Sequence, residues 1–318
     1  MKRIIVKGGI GMVLYRLKNQ ELVAVKEVMF SNEKELQCLI ESNLEVLFNL
    51  KFVATEFVVD NFRLDTVAFD EETNSFVIIE YKMGKKFSVV DQGYAYLNSL
   101  LAHKGDFTLS YNEHYPANLK RVKDIDWSQT KILFIARDYT NYQYGAFNNP
   151  DLPIDLLVAK KYENGLFDVE FLKKTNFGQI RSIETNELNS VSKKGLSKEI
   201  MIYTEEKNRQ IGNLDIQNLY DDLREIILGW DGNIQIKPVK LYNSFKLKRN
   251  IVDIHIQKNA LKLWINLKAG ELNDPENMAR DVSQTGHWGN GDYEIILKDN
   301  QNIEYIASLI KQAWKHYR

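Results

Sequence analysis

The chain has 318 residues, with 42 lysines and arginines, 43 aspartates and glutamates, and a formal net charge of −1. Hydrophobic residues make up 44% of it, which is typical of globular chains and excludes disordered and low-complexity classes, and the length suggests about two domains. The near-neutral charge and the single cysteine, Cys38, exclude a general nucleic-acid coat protein, a disulfide framework and a Cys-rich zinc module.

The sequence shows no sign of membrane insertion. No apolar run reaches the roughly 20 residues that span a bilayer, and the first residues lack the apolar core and cleavage site of a signal peptide. We therefore expect a cytoplasmic protein that does not contact membranes.

The first predicted elements are short strands followed by a helix. The strand-like runs are Arg3–Val6, Met12–Arg16 and Leu22–Val28. Asn32 is the expected N-cap of the helix, with Glu35 three residues later in a capping-box pattern, and apolar residues follow at helical spacing. The same spacing predicts that Glu33 lies on the buried side of the first turn and that Glu35 points away.

Strands and helices then alternate in an order typical of an α/β fold. Three strands are predicted at Phe52–Val59, Phe62–Phe69 and Ser75–Lys82, a helix from Ser88 to about His103, and further strands at Lys131–Arg137 and Pro153–Tyr162. This order, helix, three strands, helix, strand, predicts an α/β domain with a mixed sheet.

The chain then becomes polar before a second, smaller set of elements. A helical pattern runs from Leu214 to Trp230, and Ile303–Tyr317 is a final amphipathic helix. Four consecutive strands are predicted between the helices, at Ile234–Val239, Ser244–Leu247, Ile251–Gln257 and Ala260–Leu267, with another at Tyr293–Leu297. We therefore expect an N-terminal domain at 1–172, a polar linker at 173–212 and an α+β domain at 213–318.

The segment from Arg63 to Lys82 holds the side chains that point to chemistry. If the hairpin turn is centred between Glu72 and Thr73, Asp65 lies directly opposite Glu80, and Lys82 projects beside Glu80 on the same face. Two facing carboxylates repel each other unless a cation lies between them, and Mg²⁺ prefers carboxylate oxygens. The alternative is a plain hairpin in which Glu80 and Lys82 are solvated or paired with each other.

These residues resemble the PD-(D/E)XK nuclease superfamily. Asp65 followed by Glu80-Tyr-Lys82 carries the resemblance, and Gln92-Gly-Tyr-Ala-Tyr96 is similar to the QxxxY element of the RecB-like branch. The stretch Glu33–Asn43 is similar to the helix before the site in the NucS-type endonuclease group, where a glutamate ten residues before the helix-end asparagine joins the metal site. Glu33 holds that position, whereas Leu44 replaces the proline usual after the asparagine.

The resemblance implies a restriction-endonuclease-like αβββαβ core that cuts DNA with Mg²⁺ or Mn²⁺. Asp65 and Glu80 would hold the metal with help from Glu33, Lys82 would stabilise the attacked phosphate, and Gln92 and Tyr96 would orient the site or contact the DNA backbone. Some relatives in this superfamily have lost activity, so a non-cleaving protein that binds nucleic acid or another partner on the same scaffold is the alternative.

The second half of the chain resembles a domain family of unknown function that is often fused behind such nucleases. The motif Gly286-His-Trp-Gly-Asn-Gly-Asp-Tyr-Glu294 carries this similarity. The whole chain is also similar to a bacterial family labelled "predicted transport protein", although the sequence contains no membrane segment. The C-terminal family implies no catalytic residues.

Two groups of basic residues are candidates for DNA contacts. Arg63, Lys85 and Lys86 place positive charge beside the predicted site. From Lys237 to Lys262 the chain has seven basic residues and one acidic residue, and Lys246, Lys248 and Arg249 are the candidates for phosphate contacts there. A solvated sheet face is the alternative for this basic strip. The expected partner is DNA, the expected role is in DNA repair or phage defence, and a homodimer is compatible with the sequence.

Overall fold

The structure is a computed structural model, and it describes residues 14–84, 88–147, 153–172, 200–285 and 289–318. The elements before the polar segment are β1 (Tyr15–Lys18), β2 (Glu21–Ala24), β3 (Glu27–Val28), α1 (Glu33–Glu41), α2 (Leu44–Phe48), β4 (Lys51–Val59), β5 (Phe62–Asp70), β6 (Ser75–Lys82), α3 (Val89–Ala102), α4 (Lys104–His114), β7 (Lys131–Ala136), α5 (Asn141–Phe147), β8 (Ile154–Tyr162) and β9 (Phe167–Phe171). We call the described part of residues 14–172 the N-terminal unit.

A mixed sheet forms the centre of the N-terminal unit. Within the described residues it has seven strands, in the order β3-β8-β7-β6-β5-β4, with β9 paired to β8. Strands β4, β5 and β6 are antiparallel, whereas β6, β7 and β8 are parallel. The α/β fold class with a mixed sheet and the αβββαβ order are therefore confirmed.

Strand β6 lies inside the sheet because its side chains are apolar on both faces. Phe76 and Ile78 pack with α3 and α4 on one face, and Val77 and Ile79 pack with α1 and α2 on the other. Both sets are fully buried, as expected for a strand with parallel and antiparallel neighbours and both faces covered. The site side chains at the end of β6 are consequently placed by a rigid, central strand.

The predicted N-terminal ends of α1 and α3 are both present. The Asn32 side chain accepts a hydrogen bond from Glu35 N at 2.9 Å, and the Ser88 side chain accepts one from Asp91 N at 3.3 Å. The sequence pattern did not predict α4, α5 or β9. Helix α4 buries Phe107 and Tyr111 but exposes Leu109, so its apolar residues do not form a simple stripe. The predicted strand Arg3–Val6 lies outside the described residues.

The remaining elements form a second sheet with helices on one face. They are α6 (Glu205–Arg209), α7 (Leu214–Leu228), β10 (Gln235–Pro238), β11 (Asn243–Lys246), β12 (Asn250–Gln257), β13 (Ala260–Ile265), β14 (Arg280–Asp281), β15 (Tyr293–Leu297) and α8 (Ile303–Tyr317). In the part of the chain that is described, six antiparallel strands pair in the order β10-β11-β12-β13-β15-β14. We call residues 204–318, as described, the C-terminal unit.

The end of the predicted linker belongs by its contacts to the C-terminal unit. Asn208 on α6 is buried, and its side chain donates to Val239 O at 3.0 Å and to Asn243 Oδ1 at 2.9 Å. Residues 173–199 of that linker lie outside the described residues. The C-terminal unit therefore begins near residue 204, and the predicted end of the linker at 212 lies inside it.

Candidate active site

The β5–β6 hairpin has the register that the sequence predicts. The pairs include Thr66–Ile79 and Phe69–Phe76, and the next position beyond Thr66–Ile79 brings Asp65 opposite Glu80. Backbone N–H of Tyr81 donates to Asp65 Oδ2 at 3.0 Å, so the Asp65 carboxylate lies against the end of β6. The local hairpin geometry therefore brings the first two predicted carboxylates together.

Glu80 is the most buried acidic side chain of this group, with 3% of its surface exposed. Its Oε1 accepts hydrogen bonds from Lys82 Nζ at 2.7 Å, Gln92 Nε2 at 2.9 Å and Tyr96 OH at 3.4 Å. Among the described residues, its Oε2 atom is buried and has no hydrogen-bond partner. Burial first, and then the charge of Asp65, raise the pKa of Glu80.

The carboxylate of Asp65 is the second one whose ionised form is disfavoured by its surroundings. Burial raises its pKa, while the Tyr81 N–H and the charge of Lys82 act in the opposite direction and Glu56 and Glu33 add repulsion. Asp65 and Glu80 therefore hold protons more tightly than exposed carboxylates do. A cation between them would relieve both the repulsion and the cost of burial.

Helix α3 contributes the two polar residues predicted from its spacing. Gln92 and Tyr96 are one turn apart, and Gln92 Nε2 also donates to Tyr96 OH at 2.7 Å. Burial raises the pKa of Tyr96 to about 12, so its hydroxyl remains a neutral hydrogen-bond donor. Both side chains point at Glu80, whose position they fix.

Glu33 is exposed, so the prediction that it lies on the buried side of α1 is wrong. It nevertheless reaches the end of β6, where its Oε1 accepts a hydrogen bond from Met83 N at 2.8 Å. Leu36 and Ile40 form the buried apolar side of α1. Glu33, the first residue of the helix, therefore lies at the rim of the site and not beneath it.

A polar network under Asp65 was not predicted from the sequence. Gln37 is 3% exposed, and its Nε2 donates to Asp65 O at 2.7 Å and to Thr55 Oγ1 at 3.0 Å. Thr66 Oγ1 donates to Glu41 Oε1 at 2.6 Å. The signal in the sequence was the position of Gln37 directly after Leu36, on the buried side of a helix where an apolar residue is expected.

Replacing Gln37 with alanine should destabilise the protein. The change leaves the Asp65 carbonyl without its donor, and a buried polar group that loses its partner costs about 1–3 kcal/mol. Urea unfolding should show this decrease in the free energy of unfolding. Lys34→Ala is the matched control, because Lys34 also bonds Gln37 but lies on the surface, where such pairs contribute at most about 1 kcal/mol. If both variants lost the same free energy of unfolding, the buried hydrogen bond from Gln37 to the Asp65 carbonyl would not be the source of the stability.

The predicted DNA-contact residues fall into different places. Arg63 is 70% exposed and pairs with Glu56 at 2.9 Å. Lys248 and Arg249 are exposed in the turn between β11 and β12. Lys246 is half-buried and near Lys237 and Glu72, so it does not lie on an open strip. Lys85 and Lys86 lie outside the described residues.

Asp65 and Glu80 are the oxygen donors that a divalent cation would meet at this site. In the described residues, no three His, Cys, Asp or Glu side chains are grouped closely enough to hold a metal ion. Asp65 and Glu80 nevertheless fit Mg²⁺ or Mn²⁺, since both are oxygen donors with raised pKa values and the buried Oε2 of Glu80 accepts no hydrogen bond from the described residues. Mg²⁺ is commonly bound by one or two carboxylates with waters and substrate phosphate. Glu33 accepts a hydrogen bond from Met83 N and is not grouped closely enough with Asp65 and Glu80 to be a third ligand in this arrangement.

Comparisons with known proteins cover both units. A family described as "Domain of unknown function (DUF5655)" matches residues 206–316. An "Uncharacterized protein" of Haemophilus influenzae is 44% identical over 305 residues, which cover 96% of this chain and 100% of that protein. These matches give no support to the transport label.

In the described parts of the chain, no helix combines the length and apolar character needed to cross a membrane.

Two solved structures share similarity with part of the chain. The first is a repair endonuclease from Pyrococcus abyssi, with 19% identity, a TM-score of 0.27, and coverage of 41% of this chain and 48% of that one. The second is an EndoMS-dsDNA2 complex, with 16% identity, a TM-score of 0.21, and coverage of 44% and 63%. The match thus spans about half the length of the Pyrococcus enzyme.

Proposed function

The chain belongs to one family with the Haemophilus influenzae protein, and we propose that its N-terminal unit is a metal-dependent DNA endonuclease that hydrolyses phosphodiester bonds. The observation that carries this proposal is that the buried Glu80 and the half-buried Asp65, whose carboxylates repel each other, lie with a lysine at the end of a central strand. Glu80 has one oxygen bonded to Lys82, and its other oxygen is buried without a donor from the described residues. Such strained charge is typical of functional sites.

Each side chain has a task that follows from its contacts. Asp65 and Glu80 would hold Mg²⁺ or Mn²⁺, and Glu33 would join them only by giving up its hydrogen bond from Met83 N. The bound ion would supply an activated water and polarise the phosphate. Lys82 places a positive charge beside Glu80, where negative charge develops on the attacked phosphate. Gln92 and Tyr96 hold Glu80 in one orientation.

A second candidate function is nucleic-acid or partner binding without cleavage. It is favoured by the position of Glu33, whose carboxylate is bonded to Met83 N, and by the closed Glu80–Lys82 ion pair at 2.7 Å. In this alternative the polar cluster stabilises the end of the hairpin, and metal does not change it.

Purified protein should be assayed on branched, single-stranded and duplex DNA in Mg²⁺, Mn²⁺ or EDTA. The nuclease proposal expects cutting that requires the divalent ion and stops in EDTA. Binding of DNA with no cutting in either metal would select the second candidate.

The exposed turn between β11 and β12 gives a separate prediction about DNA binding. Lys248→Glu together with Arg249→Glu should weaken binding, and the slope of log affinity against log salt should decrease by about one for each phosphate that the protein no longer neutralises. Lys258→Glu is the control, because Lys258 is equally exposed but lies at the opposite turn of β12. If the slope is unchanged in the double variant, this turn is a solvated surface.

A further inference from the structure

The two units meet at the turn of the β5–β6 hairpin, at the end opposite Asp65 and Glu80. Lys237 of β10 places its Nζ 3.0 Å from Asp70 Oδ2 and 2.9 Å from Glu72 Oε2. Both carboxylate side chains are buried, with 4% and 5% of their surfaces exposed. A second ion pair joins Lys240 Nζ to Asp126 Oδ2 at 3.1 Å.

Neutral donors of the C-terminal unit complete a pocket around Glu72. Its Oε1 accepts hydrogen bonds from Asn250 Nδ2 at 2.6 Å, Tyr242 OH at 3.4 Å and Asn290 Nδ2 at 3.4 Å. Because both oxygens of Glu72 have partners from the other unit, the pocket matches a carboxylate in shape and in the number of donors.

The charges on the two sides are complementary. Burial disfavours an ionised Asp70, but Lys237 and Lys131 outweigh it and lower the pKa of Asp70 to about 2. Burial and the charge of Glu72 raise the pKa of Asp253, which accepts hydrogen bonds from Asn250 and Asn290. Protonation of Asp253 removes its repulsion of Glu72.

We infer that the C-terminal unit is an intramolecular docking module, and that its pocket of Lys237, Tyr242, Asn250 and Asn290 binds two acidic side chains of the N-terminal unit, Asp70 and Glu72. Three of the seven basic residues of the strip lie at or beside this contact. Lys237 and Lys240 pair with acidic residues across this contact, and Lys246 lies beside it. Lys237 and Lys240 therefore face protein carboxylates instead of DNA phosphates, whereas Lys248 and Arg249 are exposed in the turn between β11 and β12.

Buried ion pairs make the docking specific for this partner. Removing one member of such a pair leaves a buried charge without compensation, which is strongly unfavourable. Docking by this pocket thus predicts that Glu72→Lys and Lys237→Glu each separate the units.

The experiment measures the distance between the units in the full-length protein. Cys38 on α1 is exposed and is the only cysteine of the chain, and Ser308→Cys adds a second exposed site on α8. Spin labels at both positions report the inter-unit distance by double electron–electron resonance. We expect one narrow distance distribution for the parent and broad distributions for each single charge reversal.

Glu71→Lys is the matched control, since Glu71 lies in the same turn but pairs with Lys51 of its own unit and is 53% exposed. It should leave the distance distribution narrow. Where circular dichroism shows that a charge reversal has unfolded the protein, Glu72→Gln and Asn250→Ala replace it, and each should broaden the distribution. A distribution that stays narrow in folded Glu72 and Lys237 variants would overturn the inference.

Discussion

Glu80→Gln is expected to abolish Mg²⁺-dependent DNA cleavage while the protein stays folded and still binds DNA. Glutamine keeps the size and much of the hydrogen bonding of Glu80 but removes the charge that would hold the metal. DNA affinity should survive, because phosphate contacts elsewhere provide most of it. Cleavage rates in Mg²⁺ and binding in EDTA test both parts, and high metal concentrations should restore some of the cutting.

The same variant should be at least as stable as the parent when metal is absent. The pKa values of Glu80 and Asp65 are raised in the folded state, so the folded protein binds protons more tightly than the unfolded chain. Their contribution to stability is present at low pH and is lost as pH rises through the raised values. Glu80→Gln removes this part of the pH dependence, and melting in EDTA at several pH values should show a flatter profile.

Glu71→Gln is the control for Glu80→Gln, because Glu71 lies on the same hairpin but is largely exposed at the turn. It should cut DNA at the parent rate. If Glu80→Gln lost stability in EDTA and kept its cleavage activity, Glu80 would be a structural residue and the nuclease proposal would fall.

Lys82→Met should lower the cleavage rate by about 10²–10³-fold, the usual loss when one group that stabilises transition-state charge is removed. Methionine retains most of the apolar stem of the lysine, so packing against the strand should change little. Mn²⁺ affinity, measured by electron paramagnetic resonance, should not decrease, because Lys82 repels a cation near Glu80. Lys82→Met should therefore lower the cleavage rate without weakening metal binding, whereas Glu80→Gln should lower both the cleavage rate and the metal affinity.

Lys51→Met serves as the control for Lys82→Met, since Lys51 also pairs with a glutamate of the hairpin but lies at its turn end. We expect parent rates for this control. A Lys82→Met variant that cleaves at the parent rate would assign the Glu80–Lys82 pair to structure alone.

The features that the sequence pattern did not predict depend on hydrogen bonds between residues that are far apart in the chain. Gln37 lies 28 positions before Asp65, and only the packing of α1 on the sheet brings its amide to the Asp65 carbonyl. Lys237 and Asp70 are 167 positions apart, so composition showed a basic strip but not the acidic turn that it faces. Likewise, the spacing on α1 could not show that Glu33 reaches the end of β6 from an exposed position.

The sequence by itself determined the mixed α/β sheet, the caps of α1 and α3, and the hairpin register that sets Asp65 opposite Glu80. These features depend on local rules, namely the alternation of side chains along strands, the hydrogen bonds of capping residues and the polar turn between two apolar strands. The tertiary structure alone decided which face Glu33 occupies, the network under Asp65 and the acidic partners of Lys237 and Lys240. Those features depend on contacts between elements far apart in the chain, and the pairing of charged groups becomes definite only when burial removes water as their alternative partner.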